Sequence, residues 1–403
     1  MTSSPLDLRM LADPAIRADP YPVLHQLREV SPLSLMDGML VVAARHRDCA
    51  AVLREPNASA ERFRSVLSPP GIKRGGLSFL VLDPPDHTRL RRLVSAAFTP
   101  RVVAGLRPRI GEIVDALLAR VAGQGRMDVV ADLAHPLPVQ VISELLGVPA
   151  EDDEQFRGWS AQLARALDPQ LADPDPQRMA AGSAARDEFN RYFSRLIAAR
   201  RDHPADDLLS LLIQAESEGD KLTEEELLAT CVLLLVAGHE TTANLIANAI
   251  LALLRHPDQL DLLRARPELV DNCVEETLRY DAPVQLTTRA ARGPLPVASI
   301  EVPDGGLVLL LLAAAGRDPD VFPDPDRFDI TRRASGHLAF AAGAHFCLGA
   351  GLARLESAVA LDAFAQRVRA PRLLQPTVEY KANINLRGPA GLNVAFDAVA
   401  PGQ

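Results

Sequence analysis

Cys347 lies in FAAGAHFCLGAGLARLE (340–356), a run of small residues that passes directly into an amphipathic helical pattern. A cysteine in this position has the chemistry of a thiolate. Backbone amides around Leu348 and Gly349 can point at its sulfur, and the positive end of the following helix favours the anion over the thiol. Small neighbours would let a flat partner approach closely. The spacing Phe340, Gly343, His345, Cys347, Gly349 separates this cysteine from Cys49, Cys231 and Cys273, which read as buried and inert. No two cysteines form a C-x-x-C pair, so neither a disulfide framework nor a zinc ribbon is expected.

The second chemistry-bearing stretch is LLLVAGHETTANL (233–245), in the middle of a long apolar helical pattern. Gly238 costs such a helix about 1 kcal/mol relative to alanine, and Thr241 and Thr242 are weak helix formers. Glu240 buried as a charge costs more unless something pairs with it. HETTA opens like the zinc-protease H-E-x-x-H, but Ala243 stands where the second ligand is needed. GAGLAR (349–354) opens like a dinucleotide loop, but Arg354 takes the third glycine's place and no strand precedes it.

The elements that must position these residues are mostly helices. From Asp86 to about Leu263 the 3.6-residue period dominates, with segments at 86–97, 107–121, 136–146, 153–167, 180–201 and 206–217. The long helix begins at the capping-box signal TEEE. SPPGIKRGGL (68–77) and DPQLADPDPQ (168–177) read as loops. Strand-like runs occur at MLVVAA and again after residue 280, at TTRAA, LPVASIEVPDGGLVLLLL, TVEYKANINL and LNVAFDAV. A further helix follows Cys347. The expected fold class is mainly α with a smaller β portion, and no linker divides residues 1–403, so they read as one domain.

Composition narrows the class. Hydrophobic residues make up 48% and charged ones 24%, enough for a large core. A net charge of −9 without a basic run argues against nucleic-acid binding. Positive charge is almost all arginine, with lysine only at 73, 221 and 381. MTSSPLDLRML resembles neither a signal peptide nor an anchor, and His239 and Glu240 interrupt the span Cys231 to Leu254, so no membrane association and a cytoplasmic location are expected.

Across nearly the whole chain these segments resemble the cytochrome P-450 family. Its cysteine loop follows F-x-x-G-x-[HR]-x-C-x-G, and AGHETT matches its A-G-x-[DE]-T helix signature. One departure is Ala341, where many bacterial members have glycine. The resemblance implies the P-450 fold, with heme b held between the long central helix and the cysteine loop. Cys347 would be the iron's thiolate ligand, and Phe340 would pack near the sulfur. His345, Arg289, and His87 with Arg91 from DPPDHTRLRRL (83–93) would reach the heme propionates. Ala237 and Gly238 would let the helix backbone approach the porphyrin, and Glu240 with Thr241 would form an acid–alcohol pair that delivers protons.

E-x-x-R pairs occur at Glu61/Arg64, Glu154/Arg157, Glu188/Arg191 and Glu276/Arg279. Only the last precedes PDRF (325–328) and the cysteine loop in the family's order, so Glu276, Arg279 and Arg327 are expected to form its buried structural triad. Substrate would border the 68–82 loop, the 168–178 loop acting as a lid, Val236, Ala237, Val284, Gln285, Leu286, Thr287, Asn385 and Leu386. The implied activity is a monooxygenase that uses O₂ and two electrons from a ferredoxin and its reductase to hydroxylate a sizeable hydrophobic secondary metabolite, of macrolide, polyketide or terpenoid type. Oxidative coupling, epoxidation or desaturation on the same fold, and a non-catalytic partner protein, are the alternatives. A monomer is expected, with the ferredoxin docking near Arg92 or Arg354.

Overall fold

The computed structural model describes residues 8–68, 77–166, 168, 175–214 and 222–402. Most of the 68–77 and 168–177 loops, and the last residues of the helix read at 206–217, lie outside that set.

Helices dominate, as the periodicity predicts. Arg107–Val121 and Pro136–Leu146 begin and end at the expected residues. The helix expected at 180–201 runs instead from Pro176 to Asp202, because the proline-punctuated segment contains its start. Asp175 is the cap, its carboxylate accepting from the Gln177 and Arg178 amides at 3.0 and 3.1 Å, and Pro176 sits where a missing N–H costs nothing.

The central helix Glu224–Arg255 starts with the expected box: Glu226 N–H donates to Thr223 Oγ1 at 3.2 Å, and Thr223 N–H to Glu226 Oε2 at 2.9 Å. It is long and apolar enough to cross a membrane, yet 72% of its most hydropathic window is buried inside the protein. Ile246, Ile250 and Leu253 pack with Leu117 and Leu118 of the 107–121 helix and with Leu361 and Phe364 of Ala350–Arg367, the helix after the cysteine. Each fully buried side chain of this kind contributes about 1.5–3 kcal/mol. Such packing can carry the weak helix formers at 238, 241 and 242.

Glu240, Asn244 and Asn248, spaced four apart, make a polar stripe along one side of this helix. The C-terminal turn 379–388 covers it: Asn248 donates to the Arg387 carbonyl at 3.2 Å, and Lys381 Nζ donates to Asn244 Oδ1 at 2.8 Å. TVEYKANINL therefore forms no extended strand, only isolated bridges of Tyr380 with Pro389 and of Leu386 with Val284. Its amides are taken by side chains: Asp168 accepts from Ile384 and Asn385 at 2.9 and 2.8 Å, and Asn383 accepts from Leu386 at 2.6 Å.

The main sheet has five strands in the order Leu33–Leu35, Leu40–Ala43, Leu307–Leu310, Thr287–Ala291, Ala58–Ser59. The 40–43 and 307–310 strands are parallel and the other neighbours antiparallel. Arg289 pairs with Val308 in this register.

Burial sorts the E-x-x-R pairs. Glu188 and Arg191 are surface groups, whereas Glu276 and Arg279 are fully buried, with Arg279 donating to both carboxylate oxygens at 2.7 and 2.8 Å. The third member differs from the expectation. Arg327 has an exposed side chain and contributes only its carbonyl, which accepts from Arg279 Nη2 at 3.2 Å. Phe328 fills the core beside it and turns the Arg327 side chain outward. Arg332 supplies the side chain, its Nε lying 3.3 Å from Glu276 Oε1, and the Asp329 amide donates to the same oxygen at 2.9 Å.

Candidate functional site

The cysteine loop is a short closed turn. Cys347 N–H donates to the Phe340 carbonyl at 3.0 Å, and Phe346 N–H to Gly343 at 3.1 Å. Gly343 has φ +71°, and a Cβ there would lie 2.4 Å from the Leu53 carbonyl oxygen. Both the left-handed backbone and the close approach require glycine. Ala341 also has positive φ, 57°, so the departure noted in the sequence keeps a glycine-like backbone with a methyl on it. Phe340 lies under the Arg354 guanidinium, 4.6 Å from its ring centroid, and next to Phe346.

Cys347 has an exposed side chain, unlike the other three cysteines. Surrounding protein raises its pKa, and the backbone N–H of Gly349, the charges of Arg91 and Arg354, and the Ala350 amide work against that rise. The amides that favour the thiolate thus belong to Gly349 and Ala350, one residue further along than expected. Cys49, Cys231 and Cys273 are held as thiols by full burial.

Four basic side chains gather near this loop. His87, on the helix Asp86–Ser95, is buried, and both its ring nitrogens lack a hydrogen-bond partner among the described residues. Its ring centroid lies 4.2 Å from that of His345. Burial, then the charges of His87, Arg289 and Arg91, push the His345 pKa down to about 3. Arg289 is buried, makes no ion pair among the described residues, and donates to the Thr288 carbonyl at 2.8 Å. Burial and then neighbouring Arg62 lower its pKa to about 10. Arg91 donates to the Phe346 carbonyl at 2.5 Å. A basic set in which His87 and Arg289 are buried, beside an amide-supported sulfur, suits a flat ligand that carries two carboxylates and a thiolate-seeking metal. Heme fits that description.

On the central helix, Ala237 is exposed and Thr241 partly so, and Thr241 Oγ1 donates back to the Ala237 carbonyl at 2.8 Å. At Gly238 the nearest atoms to an added Cβ are those of Ile142 on the 136–146 helix, the closest at 3.4 Å, an ordinary contact. Glu240 makes no direct hydrogen bond to Thr241. It is buried and accepts from Lys381 Nζ at 2.7 Å. Burial would raise its pKa, but the Lys381 charge, His239, and the Lys381 hydrogen bond together bring it below the ordinary value. Lys381 is the partner that the sequence reading missed. The signal available was one of only three lysines in an arginine-rich chain.

The expected substrate residues divide. Val236 is buried, Val284 and Leu386 are joined as a bridge, and the Asn385 carbonyl accepts from the Gln285 amide at 2.8 Å. Leu286 instead joins the N-terminal core with Leu11 and Leu24, and the Gln285 side chain turns back to the Ala282 carbonyl at 2.7 Å. Arg354, expected at a docking face, is engaged by Glu275 at 2.6 Å. Arg92 is exposed.

Similarity to known proteins extends over most of the chain. The family model described as Cytochrome P450 matches residues 26–371. The cytochrome P450 monooxygenase PikC of Streptomyces venezuelae is 45% identical over 379 residues, covering 91% of this chain and 88% of its own. The vitamin D(3) 25-hydroxylase of Pseudonocardia autotrophica is 44% identical over 361 residues, covering 87% of this chain and 86% of its own. The ligand-free crystal structure of Mycobacterium smegmatis CYP164A2 superposes with a TM-score of 0.90 at 48% identity, covering 96% of this chain and 99% of that one. The chain belongs to the cytochrome P450 family: it is a heme-dependent monooxygenase with that family's fold.

Proposed function

We propose that Cys347 is the thiolate ligand of the heme iron and that His87, Arg91, Arg289 and His345 hold the propionates. The observation that carries this reading is the pairing of an amide-supported sulfur with basic groups, His87 and Arg289 among them buried, that make no ion pair among the described residues. Bound there, heme supplies reductive activation of O₂, with the thiolate donating electron density to the iron. The protein's own contribution is to orient and to manage protons. Phe340 and the small residues of the loop shield the sulfur. Thr241 and Glu240 pass protons on the face of the central helix that Ala237 opens.

The substrate is a sizeable hydrophobic molecule with a few oxygens, hydroxylated next to Val236, Val284 and Leu386. Support comes from the apolar character of those residues and from a relative whose name gives vitamin D(3) as its substrate. Electrons come from a ferredoxin and its reductase. We place the ferredoxin's acidic face near Arg92, which is exposed, or Arg354.

Two measurements test this reading. Reduced protein with carbon monoxide should show the thiolate-type Soret band, and a histidine-type band in intact protein would defeat the Cys347 assignment. Thr241→Ala should keep that band while diverting most electrons to hydrogen peroxide. Full coupling to product would place proton delivery elsewhere.

A further inference from the structure

Behind Glu240 lies a cluster that the family signature does not call for. One ring nitrogen of His135, one of His239 and a carboxylate oxygen of Glu240 all lie within 4.8 Å of one another. His135 follows the turn Val130–Ala134, which packs on the central helix, and it is half-buried; His239 and Glu240 are buried. The His239 and His135 rings meet edge to face, with centroids 5.5 Å apart. His239 Nδ1 lies 2.7 Å from the Leu235 carbonyl, which only accepts, so the proton sits on Nδ1 and the lone pair on Nε2. That Nε2 is buried and has no hydrogen-bond partner among the described residues. It is the buried base of this cluster, whose separations of at most 4.8 Å one water spans by two hydrogen bonds of about 2.8 Å each.

We propose that His135 and His239 form the entry by which protons from solvent reach Glu240, with Lys381 as the positioning residue that holds the carboxylate between deliveries. This rests on the reading of Glu240 and Thr241 as the proton-passing pair. His135 takes a proton from solvent and gives it, through one water, to His239 Nε2. The resulting imidazolium passes it to a Glu240 oxygen. The neutral carboxyl loses its hold on Lys381, turns, and releases the proton toward Thr241 Oγ1. The carboxylate then returns to Lys381, and no net charge accumulates. The surroundings match this cycle. Burial keeps His239 below its ordinary pKa, so it does not retain the proton. Asn244 accepts from Lys381 at 2.8 Å and keeps the ammonium in place while Glu240 is away. The same three groups could ligate a divalent metal, but the Lys381 ammonium already sits 2.7 Å from the carboxylate, and two cations sharing one buried carboxylate repel.

The test uses heme-loaded full-length protein, NADPH and a surrogate ferredoxin–reductase pair, with oxidation followed in H₂O and D₂O across pH. The charged and titratable groups facing His239 are Glu240 on its own helix, His135 on the 130–135 turn and Lys381 on the C-terminal turn. Unmodified enzyme should slow as pH rises through the imidazole range. His239→Gln and His135→Gln should keep the thiolate carbon monoxide band, lose that inflection, and oxidise NADPH about tenfold or more slowly with a larger solvent isotope effect. Lys381→Met should keep the imidazole inflection but raise the peroxide fraction. Unchanged pH profiles and isotope effects in both histidine variants, with the band intact, would overturn the proposal and leave the heme reading standing. A non-thiolate band in unmodified protein would overturn both. Should His239→Gln fail to hold heme, His135→Gln, nearer the surface, carries the same decision. Independently, ¹⁵N-labelled histidine should show the Nδ1–H tautomer at His239, and an Nε2–H tautomer would refute the route.

Discussion

Replacing Arg332 and Arg327 separately by methionine should divide the two residues sharply. Arg332 is mostly buried and lies 3.3 Å from Glu276 through Nε. It also donates to the Asp324 carbonyl at 3.0 Å, the Arg327 carbonyl at 3.3 Å, and the Pro323 carbonyl. A hydrogen bond to a charged partner contributes about 1.5–3 kcal/mol. The exposed carbonyls can turn to water, so their loss adds little. Glu276 would keep Arg279 and the Asp329 amide, so the carboxylate is not stranded and the larger penalty for breaking a buried pair, about 3–5 kcal/mol, does not apply. Arg332→Met should therefore cost about 2–3 kcal/mol. Arg327→Met keeps the carbonyl that Arg279 uses and loses only an exposed side chain, which should cost less than about 0.5 kcal/mol. Urea unfolding of the two variants, fitted with a common slope, reads the difference as separate midpoints. An Arg327→Met cost equal to that of Arg332→Met would refute the assignment of the third triad side chain.

Three further substitutions probe the helix and loop that carry Cys347. Glu356 is buried, one of its oxygens lacks a partner among the described residues, and burial raises its pKa well above 4.5. The folded protein keeps that proton while the unfolded chain gives it up, so stability is lost as pH rises above 4.5, by about 1.4 kcal/mol per pH unit until the folded group titrates. Glu356→Gln should match the parent near pH 4 and melt progressively higher than it towards pH 8; parallel melting curves would contradict this. In the cysteine loop, Gly343→Ala should lower the melting temperature and heme retention, through a loss of about 1–3 kcal/mol. Ala341→Gly should gain up to about 1 kcal/mol by relieving its left-handed backbone.

Local pattern made much of this protein legible, and its limits were geometric. Helices 107–121 and 136–146 follow from period alone, since each presents one apolar face to one core. The start at Pro176 was missed because a proline that begins a helix looks, in sequence, like one that breaks a loop. Glu276 and Arg279 lie on one helix, so spacing finds them. Whether the next arginine's side chain or its carbonyl faces inward depends on how Phe328 seats, and no spacing states that. Lys381 is 141 residues from Glu240, so their pairing exists only once the C-terminal turn has folded onto the helix. Leu286 looked like part of a pocket because its neighbours border one. Its side chain packs instead among N-terminal side chains, a long-range placement that local spacing does not state.

The turn 379–388 has two neighbours at once. Asn385 and Leu386 meet the segment 284–285, while Lys381, four residues earlier, secures the helix acid. Asn383 stiffens the stretch between them by binding the amides at 385 and 386. A breeding programme that diversified this turn to admit a new molecule would thereby alter how tightly electron consumption is matched to product. Here selectivity and efficiency are a single heritable trait, and a screen scoring only conversion would select on both without knowing it.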